Sequence, residues 1–278
     1  GGQKKRKGFR MTKIIGAGLA GLIAANIFNQ GSKDFSVIEQ NKEVPHNHSA
    51  VLRFKSSIVG DSLGIPFRNV SVLKSVQPWA NPVADAMAYS RKSNGGYELR
   101  SLLSVSSDLN ERYIAPSDLI KQLSDRVMPR LFLGGRFNWD IHDKNIPVIS
   151  TIPMKSLMKI LGWEPKTEFR SVVCYNIKCE VRNADAFFSL YVPDPTTPIY
   201  RISLTGSELI IECAHRPTNF TKAIDTAIMM CGLDSDDVSV IKSGAQDYGK
   251  ILPIDEGERR RFIMWASDHH NIYSLGRF

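Results

Sequence analysis

An α/β fold, in which a parallel-sheet unit is interrupted by an antiparallel β insertion, is what the 278-residue sequence predicts. Three observations predict it. A short apolar strand, a glycine turn, an apolar helix and a second strand follow one another from Met11 to Glu39. Helix-like and strand-like segments alternate between Pro116 and Leu161. Residues 168–214 are short β segments divided by turn residues, the pattern of an antiparallel sheet.

The first ten residues carry Lys4, Lys5, Arg6, Lys7 and Arg10 with no apolar period, and read as a solvated, disordered arm. Order begins at Met11. Lys13-Ile14-Ile15 is a strand, Gly16-Ala17-Gly18-Leu19-Ala20-Gly21 is the turn, and Leu22 to Phe28 supply a helix with a broad apolar face. Gly31 ends that helix, and Phe35-Ser36-Val37-Ile38 is a strand closing on Glu39. Each glycine has a mechanical reason. Gly16 permits the tight turn, Gly18 lets backbone approach a pyrophosphate, and Gly21 lets the helix pack closely on the sheet. The free amides and positive dipole end of the helix then face phosphates. Glu39, about eighteen residues past Gly21, is placed to accept hydrogen bonds from ribose hydroxyls. A lone GxGxxG is weak evidence, but here strand, turn, helix, strand and acidic end occur in order. Gln40 follows Glu39 where an arginine would favour a 2′-phosphate, so the motif leaves FAD and NAD(H) open.

Beyond this Rossmann-like unit the pattern is irregular through Pro45, His46, His48 and Arg53. Residues 56–100 read as short strands, a helix around Val83 to Ser90 and an Asn94-Gly95-Gly96 turn. A helix starts at Pro116-Ser117-Asp118, with Leu119, Ile120, Leu123 and Val127 on one face. Strands follow at Arg130–Leu133 and within Ile146–Pro153, then a short helix from Met154 to Leu161. The β region comprises Phe169–Val181, Ala186–Val192, Ile199–Leu204 and Glu208–Cys213. A helix from Thr221 to Cys231 and a strand at Val238–Ser243 complete it.

Hydrophobic residues at 42% and charged residues at 23% exclude a disordered or fibrous protein. The net charge of +8 is largely a property of the arm. Without its five cations, 31 basic residues face 28 acidic ones. The arm could grip nucleic acid, but the chain has no aromatic-basic stacking motif. No apolar run reaches the length of a membrane span. Cys174, Cys179, Cys213 and Cys231 lack CxxC spacing, which argues against a zinc site or disulfide framework and fits a reducing, cytoplasmic setting. His269-His270 lacks a third ligand, so no metal site is expected.

Three stretches resemble the flavoprotein superfamily of amine oxidases, protoporphyrinogen oxidase and UDP-galactopyranose mutase. Met11–Glu39 matches its FAD fingerprint. Val148-Ile149-Ser150-Thr151-Ile152-Pro153 resembles the strand and turn leading back to the substrate domain. Asn271-Ile272-Tyr273-Ser274-Leu275-Gly276-Arg277-Phe278 resembles its late strand and Gly-Arg turn. The resemblance implies a Rossmann-like FAD-binding domain over residues 11–55, 101–155 and 250–278, and a substrate domain over 56–100 and 156–249. It implies FAD as cofactor, with Gly16 to Gly21, Glu39, Gln40, Arg53, Gly276 and Arg277 as its contacts. Family members continue past the Gly-Arg turn into a further helix, whereas this sequence stops at Phe278. The implied activity is FAD-dependent oxidation of a small molecule, or redox-neutral chemistry of the sugar-nucleotide mutase kind. No catalytic motif is legible. His46 and His48 are the titratable candidates near the expected flavin path, and Tyr200 and Arg201 lie in the β region that would face substrate.

Overall fold

A computed structural model describes residues 11–44, 52–78, 80–96, 109–166, 171–251 and 255–276. The basic arm, His46, His48 and Arg277 lie outside them. In chain order the elements are β1 (Thr12–Ile15), α1 (Leu19–Gln30), β2 (Phe35–Glu39), β3 (Arg53–Phe54), α2 (Ile58–Leu63), β4 (Arg68–Val76) and α3 (Pro82–Asn94). Next come β5 (Leu109–Ile114), α4 (Leu119–Val127), β6 (Leu131–Leu133), β7 (Val148–Ser150) and α5 (Met154–Leu161). The remainder comprises β8 (Ser171–Val181), β9 (Ala186–Tyr191), β10 (Ile199–Gly206), β11 (Glu208–Cys213), α6 (Phe220–Cys231), β12 (Val238–Ile251), α7 (Glu256–His270) and β13 (Ile272–Ser274).

One sheet has the order β13-β7-β1-β2-β6, and every pairing in it is parallel. Alternation along β1 divides its neighbours between two faces. Ile14 packs with Leu22 and Ala25 of α1 and Leu123 of α4. Ile15 packs with Val148, with Leu157 of α5 and with Phe262 of α7. Helices therefore cover both faces, the condition under which parallel strands bury themselves. Within the late segment, Ile272–Ser274 return to this sheet as β13, beside β7.

The other sheet has the order β12-β8-β11-β10-β9-β4-β5-β3. Its pairings are antiparallel except one: β4 runs parallel to β9. The insertion is thus a mixed sheet, because β4 reaches β9 from outside the β9–β11 meander. One face packs on α6 around Ile202, Leu204, Leu209 and Ala227. Two expectations about this region change. Leu109–Ile114 and Arg53–Phe54, read from sequence as part of the nucleotide unit, are β5 and β3 of the second sheet. Residues 58–63, read as extended, form α2, which ends where Gly64 adopts φ 62 and sets Leu63 and Ile65 into the core beside α1. Residues 256–270 form a long helix that periodicity did not reveal, since its apolar stripe is interrupted by arginines. Among the described residues no helix is long and apolar enough to cross a membrane.

Candidate cofactor site

The carboxyl ends of β1, β2, β6 and β7 open onto a cavity of about 610 Å³. Ligand pockets span roughly 300–1,000 Å³, and open α/β sheets bind ligands at this edge. Gly16 leaves β1 with φ +97, a conformation suited to glycine, and its N–H donates to Ile38 O at 2.8 Å. A Cβ on Gly21 would stand 1.9 Å from Gly16 O, so this glycine sets how closely α1 meets the sheet. Gly18 differs. It is the N-cap of α1 with extended backbone and no side-chain cap, and a Cβ there would meet nothing within 4 Å. The first amides of α1 are left facing open space, as a phosphate requires.

Glu39 closes the same edge. It is 6% exposed, its Oε2 accepts from Ala17 N–H at 2.8 Å, and its Oε1 accepts from Asn41 N–H at 2.9 Å. An ionised carboxylate has about four acceptor positions, so two remain for hydroxyl donors. After β6, Gly134 N–H donates to Asn41 O and Gly135 N–H to Glu39 O, which turns Arg136 and Phe137 against the cavity. Trp139 packs edge-on to Phe137 at 4.7 Å. On the far wall, Thr151 donates from both N–H and Oγ1 to Ile15 O. Its hydroxyl oxygen would lie 2.2 Å from a Cβ on Gly16.

No family model matches this chain, and no curated protein does. Solved structures do. A reduced UDP-galactopyranose mutase superposes with TM-score 0.63 at 14% identity, over 95% of this chain and 89% of that one. A tryptophan 5-halogenase gives 0.58 at 11% identity, over 99% of this chain and 62% of the other. Aklavinone-11 hydroxylase, in a ternary complex with FAD and aklavinone, gives 0.55 at 11%, over 96% and 56%. The chain has the fold of these enzymes.

Within this fold, Gly16, Gly18, Glu39 and Gln40 line the cavity together, with Ala17, Leu19, Ala20 and Gly21 forming the turn and first helical residues above it. Gly276 abuts its far wall: a Cβ there would be 2.1 Å from Ile152 O. Arg53 is elsewhere. Its guanidinium lies on the second sheet, donating to Ser189 Oγ at 2.8 Å, Thr205 Oγ1 at 3.0 Å and Phe188 O at 2.8 Å. Arg201 is ion-paired with Glu212, which also accepts from Tyr200 Oη at 3.3 Å. Burial holds the Tyr200 phenol far above its ordinary pKa, so Tyr200 is a packed, neutral donor. His269 stacks on Trp265 and His270 meets the same ring edge-on. Among the described residues no three His, Cys, Asp or Glu side chains are placed to hold a metal. Sequence reading missed Arg136, Phe137, Trp139 and Thr151. Gly134-Gly135 directly after a parallel strand was the available signal for the first three, since the cavity edge must be made by such turns.

Proposed function

We propose that this chain binds FAD in the 610 Å³ cavity and works as an FAD-dependent oxidoreductase on a small molecule. The single observation carrying the reading is the glycine turn, where a side chain is barred at Gly16 and Gly21 and open space lies over Gly18. In this reading the α1 amides hold the pyrophosphate and Glu39 takes the adenosine ribose. Arg136, at the cavity edge, supplies positive charge, and Phe137 and Trp139 give flat apolar surface. The bound flavin would supply the electron-transfer chemistry, and the protein its placement and shielding from water. Four free cysteines support a reducing, cytoplasmic setting, and burial raises the thiols of Cys213 and Cys231 to about 12, as for packed rather than reactive groups.

A second reading is redox-neutral isomerisation of the sugar-nucleotide mutase kind. It is favoured by the extent of the overlap with the mutase structure, 89% of that chain against 62% of the halogenase. Two measurements test the readings. Purified protein should show the visible bands of oxidised flavin and release FAD on denaturation. Release of NAD, or failure to take up added FAD, would remove the flavin reading. Turnover that requires reduced flavin yet leaves it reduced would favour the isomerase.

A further inference from the structure

The face of the second sheet opposite α6 carries cations and hydroxyls in register beside the buried Val70 and Val72. Lys74 of β4 stands beside Ser189 of β9, which stands beside Ser203 of β10. Two residues back along β4, Val72 is paired with Asn110, and Val70 with Arg112, so Lys74 and Arg112 share this face. Lys74 Nζ is 3.5 Å from Asn110 Oδ1. Arg53 reaches across from β3 to Ser189 and Thr205, on the same face. Arg201 is there too, but Glu212 neutralises it.

Among the described residues, Arg53, Lys74 and Arg112 have no carboxylate within ion-pair distance. All three are half-buried. Burial and then the neighbouring Arg201 bring Arg53 down to about 10. Burial, then Arg112, Lys55 and Arg53, lower Lys74. Half-buried like charges with no ion-paired carboxylate among the described residues, Arg53 being only partly offset by Glu212, cost free energy that an arriving anion would recover. Arg53 already donates to Thr205 Oγ1, Ser189 Oγ, Phe188 O and Leu204 O and contributes mainly its charge, whereas the Arg112 guanidinium can offer paired donors to carboxylate or phosphate oxygens.

We propose that the Arg53–Lys74–Arg112 face binds a small organic anion through a phosphate or carboxylate group. As a statement about the substrate it rests on the flavoenzyme reading; as a statement about an anion site it does not.

The test is calorimetric titration of the full chain with inorganic phosphate and, separately, with acetate. Wild type, Lys74→Met, Arg112→Met and Gly18→Val are compared, with circular dichroism and melting to establish folding. Wild type should bind at least one of the two anions, phosphate alone marking a phosphoryl group and acetate a carboxylate. Each sheet variant should lose about tenfold or more in affinity, the scale of one charge-assisted contact. Gly18→Val should bind as wild type does. Should Arg112→Met fail to fold, Lys74→Met on the neighbouring strand carries the comparison. Wild-type affinity in the folded sheet variants overturns the proposal, as does a wild type that binds neither anion. So does loss of binding confined to Gly18→Val, which would put the anion at the glycine turn. A protein that binds the anion at the sheet but takes up no FAD would remove the flavin reading and leave this one standing.

Discussion

A methyl group has opposite consequences at two glycines three residues apart. At Gly21 it would collide with Gly16 O at 1.9 Å, whereas at Gly18 it enters open space beside the α1 amides. Gly21→Ala should therefore lower the melting temperature, by roughly 1–3 kcal/mol or more of lost stability, as overpacking does. Gly18→Val should melt close to cofactor-free wild type and retain no flavin, read from the absorbance of the purified protein. Normal flavin content in Gly18→Val would move the cofactor away from this turn. Glu258 permits a prediction about acid. It is fully buried on α7, accepting from Trp163 Nε1 at 3.1 Å, Lys166 N–H at 3.3 Å and Arg261 Nη2 at 2.6 Å. The Arg261 hydrogen bond above all holds its carboxyl below the ordinary glutamate value of about 4.3. A depressed carboxylate stabilises the fold above that value and loses the contribution as pH falls through its lowered pKa. Glu258→Gln should flatten this part of the acid-unfolding curve; an unaltered curve would show the contact contributes nothing. The turn glycines and Glu39 were legible in the sequence because their roles follow from backbone geometry and spacing. Glu258 was not, since a charged residue amid arginines gives no sign that three donors converge on it.

Helix starts were readable where local chemistry sets them. Pro82 follows Asn81, whose side chain accepts from Val83 and Ala84 N–H at 3.1 Å, while Asp85 Oδ2 accepts from Ala80 and Asn81 N–H at 3.0 Å. Asn81→Ala should cost about 1 kcal/mol, measured by denaturant unfolding, and no change in midpoint would show that Asp85 alone suffices. Strands β6 and β7 were likewise legible as apolar runs. Their partners were not. Leu109-Asn110-Glu111-Arg112-Tyr113-Ile114 has no polar–apolar alternation to mark it as a strand, and it joined the second sheet because β4 offered six paired positions. The helix α7 escaped for a related reason. Only Glu258, Phe262 and Ala266 of its fifteen residues are buried, a stripe too thin to stand out from sequence.

At the scale of the molecule, two sheets divide the work: the parallel one forms the edge where a nucleotide would sit, and the mixed one presents a cationic face. A ligand bound only by the folded state stabilises it by mass action. Stripping the cofactor should therefore lower the melting temperature, and FAD at a hundredfold excess over its Kd should restore about 2.7 kcal/mol, several degrees for a chain of this length. A melting curve indifferent to FAD would contradict the proposed site. The sequence by itself determined the glycine turn, the helix it starts and Glu39 at the end of the second strand, because these depend on neighbours within about thirty residues and on which positions tolerate a side chain. Only the tertiary structure decided that Thr151 and Arg136 wall the same cavity, that β4 runs parallel to β9, and that Arg53 belongs to the second sheet. Those contacts join positions more than a hundred residues apart, and strand pairing over such distances is selected by the packing of whole faces rather than by any local signal.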